Sequence, residues 1–471
     1  MVLSSLIFLA AILLAFAQLS VRDIRNGIYA VIFLTPLYLI RFSIFGIPTT
    51  MLEIMIYILF GVWILKNKKS IHVRESIKSF YKNDKMLAWG ITLLFLGTIL
   101  STFHSSDLRT SLGVLKGWFF DPFIFFIIFV SEIKNQKHIT NSLLSYILSG
   151  FAVALTGIAY AINGSMTFDG RLRAIYESPN YLAMYIAPAF LFAFYIFVFG
   201  KDFGTNVVGA DDSDKTTFVP LSFRSEARNP SLTAKLYKYG RVAIKGFFTA
   251  LCYIRNDKKI QAIILLFFAI AIYLTKSYGA VIGIVAALFC FSLKKYKSDN
   301  IKIFSDNKKT LAILAVLVFA VFSFLTFQKY EQIVNSSERS SLHSRIMIWN
   351  ASLEIIKDSP IFGIGPGTFQ EVYLNYQSRF AVPYLEWAVP EPHNTLLAFY
   401  LQPGLIGFVG FILILIWLSK RARTSDIVFL FLVYFLVHGL IDTLYWKNDL
   451  ALIFWLVVGV SVALKPGAVG K

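Results

Sequence analysis

Apolar stretches long enough to cross a bilayer recur from one end of this sequence to the other, and no other feature restricts its fold so strongly. A backbone immersed in lipid has no water to bond, so it must satisfy itself as a helix or a closed barrel. Runs of about 20 apolar residues fit helices. Only 15% of the 471 residues are charged and 57% are hydrophobic, whereas a soluble domain carries roughly 25% charged residues. The pattern predicts an all-α polytopic membrane protein of about 12–13 transmembrane helices. Spans fall near 3–20, 28–45, 49–65, 87–103, 117–130, 142–162, 181–199, 260–275, 277–293, 310–328, 394–418, 426–441 and 450–464. The first run lacks the basic start of a secretory signal, its first basic residue being Arg22, and reads as a span. Residues 234–256 carry Arg241 and Lys245 within an apolar run. Those charges are costly at membrane depth, so the segment reads as a basic amphipathic stretch on the surface.

Positive charge sets the orientation. With the N-terminus outside, 33 of the 45 Lys and Arg residues fall in cytoplasmic segments, including "KNKK", "KKYK" and "SKRAR". The +18 net charge thus reflects topology and anionic headgroups. Spread over seven segments, it forms no stripe for nucleic acid. Cys252 and Cys290 stand outside any spaced motif and imply neither a disulfide framework nor a metal site. Four sections result: N-terminal spans 1–163, central spans 164–328 with a cytoplasmic loop 200–259, an extracytoplasmic loop 329–393, and C-terminal spans 394–471.

Two loops are unusually long. The cytoplasmic one contains "GADDSDKTTFVP", whose Gly, Ser, Thr and Asp content without apolar period reads as a solvated linker. The outer loop has structure: Leu342, Ile346, Trp349, Leu353 and Ile356 form one narrow stripe at helical spacing. Residues 338–357 are therefore expected to be an amphipathic helix resting on the membrane or the bundle. Arg345 flanks that stripe, either snorkelling to lipid phosphate or aimed at an anionic ligand. "DSPIFGIGPGTF" lacks the lysine of a phosphate loop and reads as a rigid turn that returns the chain.

Further polar residues collect at the same depth. Arg171, Arg173 and Asn180 precede the seventh span, Lys276 sits in the tight turn "KSYG", and Asp442, Lys447, Asn448 and Asp449 occupy the last outer turn. His393 and Asn394 open the span at 394. Each alone fits an interfacial anchor or, for His393, a helix cap. Together they place several cations and one imidazole in a layer suited to a lipid-borne diphosphate, since Arg offers bidentate donors to phosphate oxygens.

The segments "RSSLHSRIMIWNASLEIIKDSPIFGIGPGTF", "PHNTLLAFYLQPGLIGF" and "RLRAIYESPNYLAMYIAP" resemble the O-antigen ligase and O-antigen polymerase family. The resemblance spans about 165–450 and is sharpest over 345–411. It implies an integral membrane glycosyltransferase of the GT-C type, inverting and metal-independent, with no cofactor. Such an enzyme transfers a glycan from an undecaprenyl-diphosphate carrier to an acceptor hydroxyl on the outer face of the bacterial cytoplasmic membrane. The acceptor is a glycan, a lipid or a protein, and ligase and polymerase remain alternatives. The resemblance implies that Arg345 and His393 are the functional pair. Arg171, or Arg173 in its place, and Lys276 would help hold the diphosphate. Trp349, Asn180, Asn394, Asp442 and Lys447 would support them. Two departures stand out: Tyr278 replaces an arginine of the family's "S-R-G", and Gln402 replaces an acidic residue.

The competing class is a transporter or a flippase for lipid-linked glycans, which places ionisable residues near mid-membrane at broken helices. Here Asp121 and Glu53, the main charges within apolar runs, lie toward the outer ends of their spans.

Overall fold

The computed structural model describes residues 2–44, 46–67, 84–205, 256–297, 341–377 and 389–464, with a few single positions between them. The span expected at 310–328, most of the loop 200–259 and most of the basic segment 234–256 lie outside the described residues. The first helices are α1 (Val2–Arg22), α2 (Ile24–Phe33), α3 (Met51–Asn67) and α4 (Lys85–Phe103). Next come α5 (Leu108–Val114), which runs through a π turn at Leu115–Phe120 into α6 (Asp121–Glu132), then α7 (Gln136–Ile162) and α8 (Pro179–Thr205). α9 (Lys258–Thr275) and α10 (Tyr278–Lys297) meet in a two-residue turn, and α11 (Ser341–Asp358) and α12 (Phe369–Gln377) follow. The chain closes with α13 (Thr395–Leu401), α14 (Gly404–Ala422), α15 (Asp426–Gly439) and α16 (Asn448–Ala463).

Seven of the described helical segments are long and apolar enough to cross a membrane, and four shorter apolar helices accompany them. The protein is a multi-pass, all-α membrane protein. Two expected spans differ in detail. The one at 28–45 ends at Phe33, where Pro36 opens a 3-10 turn at Thr35–Leu39 and a hairpin pairs Arg41–Ile44 with Ile47–Thr50. Ten helical residues reach only about 15 Å, half of the hydrocarbon core. The one at 394–418 is broken into α13 and α14 at Gln402–Pro403. Proline removes a backbone donor there, and Gly404 takes a left-handed φ of 72°. A Cβ on Gly404 would stand 2.4 Å from the Ile361 carbonyl oxygen.

Small residues let the helices touch. Gly90 and Gly97 of α4 lie against Gly407 and Gly410 of α14, so closely that a Cβ on Gly97 would come 2.1 Å from the Gly407 nitrogen. Packing of this kind replaces the hydrophobic drive that lipid does not supply. Of the in-span acids, Glu53 accepts from Lys116, Thr49 and Asn448, while Asp121 accepts from Tyr57 through Oδ1 at 2.7 Å and keeps Oδ2 buried without a partner among the described residues.

The loop that carries α11 and α12 has a small core of its own, in which Met347, Ile348, Ala351 and Ile355 of α11 meet Ile364, Phe369, Tyr373, Val389 and Leu401. α11 keeps Ile346 and Leu353 of its apolar stripe out of this core. Ser344, Ile348, Ala351, Ser352 and Ile355 are buried, whereas Ile346 and Leu353 of the apolar stripe are 42% and 50% exposed. The buried face lies roughly 180° from the stripe, because its small residues allow close approach to the bundle. Arg345 sits at the edge between the two faces.

Candidate functional site

The stretch Glu391–Asn394 crosses the end of the bundle where α13 begins and is held at every residue. Glu391 Oε2 accepts from Gln402 Nε2 at 2.7 Å, and the Pro392 carbonyl accepts from Trp349 Nε1 at 3.1 Å. His393 Nδ1 lies 2.9 Å from Asp442 Oδ1. Asn394 caps α13 by accepting from the Leu397 N–H, and donates through Nδ2 to the Leu440 carbonyl at 3.0 Å. His393 has a φ of 48°, a left-handed conformation uncommon outside glycine and kept only where surroundings over-determine it. The five contacts supply that determination, and they aim the imidazole at Asp442.

The chemistry of that pair follows from the carboxylate. Burial alone would raise the Asp442 pKa, but the hydrogen bond from His393, with His438 close by, holds it well below the usual carboxylate range. An ionised carboxyl only accepts, so His393 Nδ1 carries the proton and Nε2 keeps its lone pair. The Asp442 side chain is 4% exposed and that of His393 33%, so the imidazole is held from the buried side and open toward the other. The carbonyl of Asp442 accepts from Thr395 Oγ1 at 2.9 Å, which locks the turn 440–444 onto the start of α13.

Cations gather beside this pair. Arg345 donates from Nε to the Ile441 carbonyl at 3.1 Å, one residue from Asp442. Arg171 donates from Nε to the Thr275 carbonyl and from an η nitrogen to Asn180 Oδ1 at 2.6 Å, and lies 3.8 Å from Asp169. Burial lowers its pKa, against which Asp169 and Asp442 act, and Arg345 and Tyr278 are also near enough to influence it. Arg171 and Arg345 therefore share one electrostatic neighbourhood with Asp442. Lys276 caps α9 in a left-handed conformation, with φ 49°. Its Nζ comes 3.6 Å from where a Cβ on Gly170 would stand.

Other expected residues fall differently. Arg173 is exposed, so the turned-in arginine of the pair is Arg171. Lys447 binds Glu177 at 2.6 Å and lies 4.0 Å over the Tyr181 ring. Glu177 also pairs with Arg41 of the hairpin. The "GIGPG" turn has left-handed Gly363, Gly365 and Gly367. It is pinned by Ser101 to the Gly365 N–H and by Gln402 to the Gly367 N–H. Gln402 thus joins that turn to Glu391.

Two neighbours of the site escaped the sequence reading. Glu391, buried and pushed up to about 8 by desolvation against the helping contacts of Gln402 and Lys447, lay unnoticed beside the more conspicuous Pro-His-Asn. His438, fully buried, points its Nε2 at Asp442 Oδ2 from 3.6 Å. The four-residue spacing to Asp442 was its only sequence signal. Among the described residues no cluster of three His, Cys, Asp or Glu side chains could hold a metal ion.

Residues 263–412 match the family model described as O-antigen ligase (Wzy_C). Over these residues the chain is similar to the O-antigen ligase family. The ligase segment begins inside α9 and ends inside α14, taking in Lys276, Arg345, Trp349, His393, Asn394 and Gln402. It leaves Arg171, Asn180 and Asp442 to be joined to it by the fold. This match supports a glycan ligase or polymerase role in cell-surface polysaccharide synthesis. No curated protein matches the chain.

Proposed function

We propose that this protein is a ligase or polymerase that moves a saccharide from an undecaprenyl-diphosphate carrier to an acceptor hydroxyl, at the outer face of the bacterial cytoplasmic membrane. The observation that carries the reading is the Asp442-backed imidazole of His393 beside Arg345 and Arg171. The acceptor oxygen attacks the anomeric carbon from the face opposite the diphosphate. As that C–O bond forms, the bond to the diphosphate oxygen breaks and its electron pair leaves with the phosphate. The acceptor proton passes to His393 Nε2, and Asp442 stabilises the imidazolium. The attack inverts the anomeric centre. Arg345, Arg171 and Lys276 balance the charge growing on the leaving group, and Asn180 orients Arg171. Trp349 and Asn394 hold the backbone on either side of the imidazole. Lys447 ties the last outer turn to the loop that carries Arg171. Arginines do the work that a metal does in many diphosphate sites, so no metal is required.

The test separates rate from binding in the purified full-length protein with EDTA present, using the undecaprenyl-diphosphate-linked glycan extracted from cells that make it. General-base help is worth about 10²–10⁴ in rate. His393→Ala should lose that much turnover while its donor affinity stays near wild type. Collapse of affinity with an unchanged rate at saturating donor would make His393 a phosphate-binding group and end this assignment.

A further inference from the structure

The carboxylate of Asp442 has two oxygens, and the proposed reaction uses one. Oδ1 meets His393 at 2.9 Å, while Oδ2 faces His438 Nε2 at 3.6 Å. That distance lies just beyond a hydrogen bond, and among the described residues His438 Nε2 is buried without a hydrogen-bond partner. The ring is otherwise well seated. Its Nδ1 lies 2.7 Å from the Tyr434 hydroxyl one turn earlier on α15. On the far side α10 presents only glycine: a Cβ on Gly279 would come 2.7 Å from His438 Cδ2, and one on Gly283 would come 2.9 Å from the Tyr434 ring. The Asp442 N–H bonds the His438 carbonyl at 3.0 Å, so the two residues are also linked through the backbone. If Tyr434 donates to Nδ1, the ring proton must sit on Nε2, where Asp442 is the nearest acceptor.

We propose that His438 is a positioning residue for the His393–Asp442 pair: Tyr434 and the glycines of α10 hold its Nε2–H against Oδ2, which keeps Oδ1 aligned on His393. A shift of a few tenths of an ångström closes that contact. The second donor has a chemical consequence as well as a steric one. It withdraws charge from the carboxylate, so Asp442 grips the imidazolium of His393 less tightly and His393 releases its proton more readily after each transfer. The other titratable or charged groups around Asp442 are Arg171, Arg345, Tyr181 and Tyr434.

The inference rests on His393 as the base, so His393→Ala is assayed alongside. His438→Phe keeps the ring volume and removes the N–H. Turnover should fall about tenfold, and the acid limb of the kcat profile should move up by about half a pH unit, because a carboxylate with one donor fewer holds its imidazolium harder. His438→Gln, with an amide N–H able to reach Oδ2, should recover most of both losses. Gly279→Ala alters no titratable group yet displaces the His438 ring, and should reproduce the His438→Phe profile. An unchanged acid limb in both His438→Phe and Gly279→Ala overturns the proposal, whatever the rate. A rate loss that His438→Gln does not recover makes His438 a packing residue and overturns it too. If His393→Ala transfers at the wild-type rate, the base assignment itself has failed, a result separable from the others.

Discussion

Asp442→Asn is the substitution that most directly examines the pair at the outer mouth. The side chains are nearly equal in size, so the turn 440–444 and its bond to Thr395 should survive. Two things change. The charge that stabilises the imidazolium is gone, and the amide can donate to Nδ1, which moves the ring proton to Nε2 and removes the lone pair meant for the acceptor. At a charge separation of about 4 Å and an effective dielectric constant near 20, the lost attraction is roughly 4 kcal/mol. His393 is one-third exposed, so solvent screening cuts this to about 2 kcal/mol, or about 30-fold. The wrong tautomer adds to it, and together about 10²–10³ of the turnover should disappear. The loss should persist across the working pH range. Asp442 has a depressed pKa in the folded protein, so its contribution is fully present above about pH 3.9 and is lost only as pH falls through the folded value. The assay is single-turnover transfer at saturating carrier-linked donor, with donor affinity measured on the same preparation. Turnover within a factor of three of wild type would refute the reasoning, because neither the charge nor the tautomer would then matter.

Arg345→Lys keeps the charge but loses the planar fork, of which Nε is anchored on the Ile441 carbonyl; most activity should vanish, and wild-type turnover would leave Arg345 as an interfacial anchor. Glu391 has a folded pKa of about 8, above its unfolded value near 4.3, so between those values only the folded state holds the proton. Stability should therefore fall as pH rises through this window, by about 1.4 kcal/mol per pH unit, and Glu391→Gln should flatten the slope in thermal melts from pH 5 to 8; parallel slopes would count against a neutral acid. In a chain freed of Cys252 and Cys290, Asn375→Cys should react with an impermeant thiol reagent on intact cells and Lys215→Cys should not, the reverse pattern overturning the orientation.

The positions of the site residues divide by how local their causes are. Helix α13 was legible from Asn394, because an N-cap and its partner lie three residues apart in sequence. The two-residue turn between α9 and α10 was legible from "KSYG" interrupting an apolar run. Arg345 at the edge of its helix followed from helical periodicity, but the face that α11 buries did not. Hydropathy placed Ile346 and Leu353 on one stripe resting on the membrane or the bundle, and the helix buries its opposite face, where Met347, Ile348 and Ile355 join the small Ser344, Ala351 and Ser352.

Composition and the length of the apolar runs determined by themselves that the chain is a helical membrane protein, since lipid leaves the backbone few alternatives. The outer loop and its Pro-His-Asn were likewise visible as local patterns. The sequence offered Asp442 as a supporting residue at the same depth, but that it stands directly behind His393 was decided only by tertiary structure, because the two lie 49 residues apart. The same holds for Glu391 meeting Gln402, and for His438 seated on the glycines of α10. A hydrogen bond between distant residues depends on how helices cross, and crossing is set by the fit of many side chains at once.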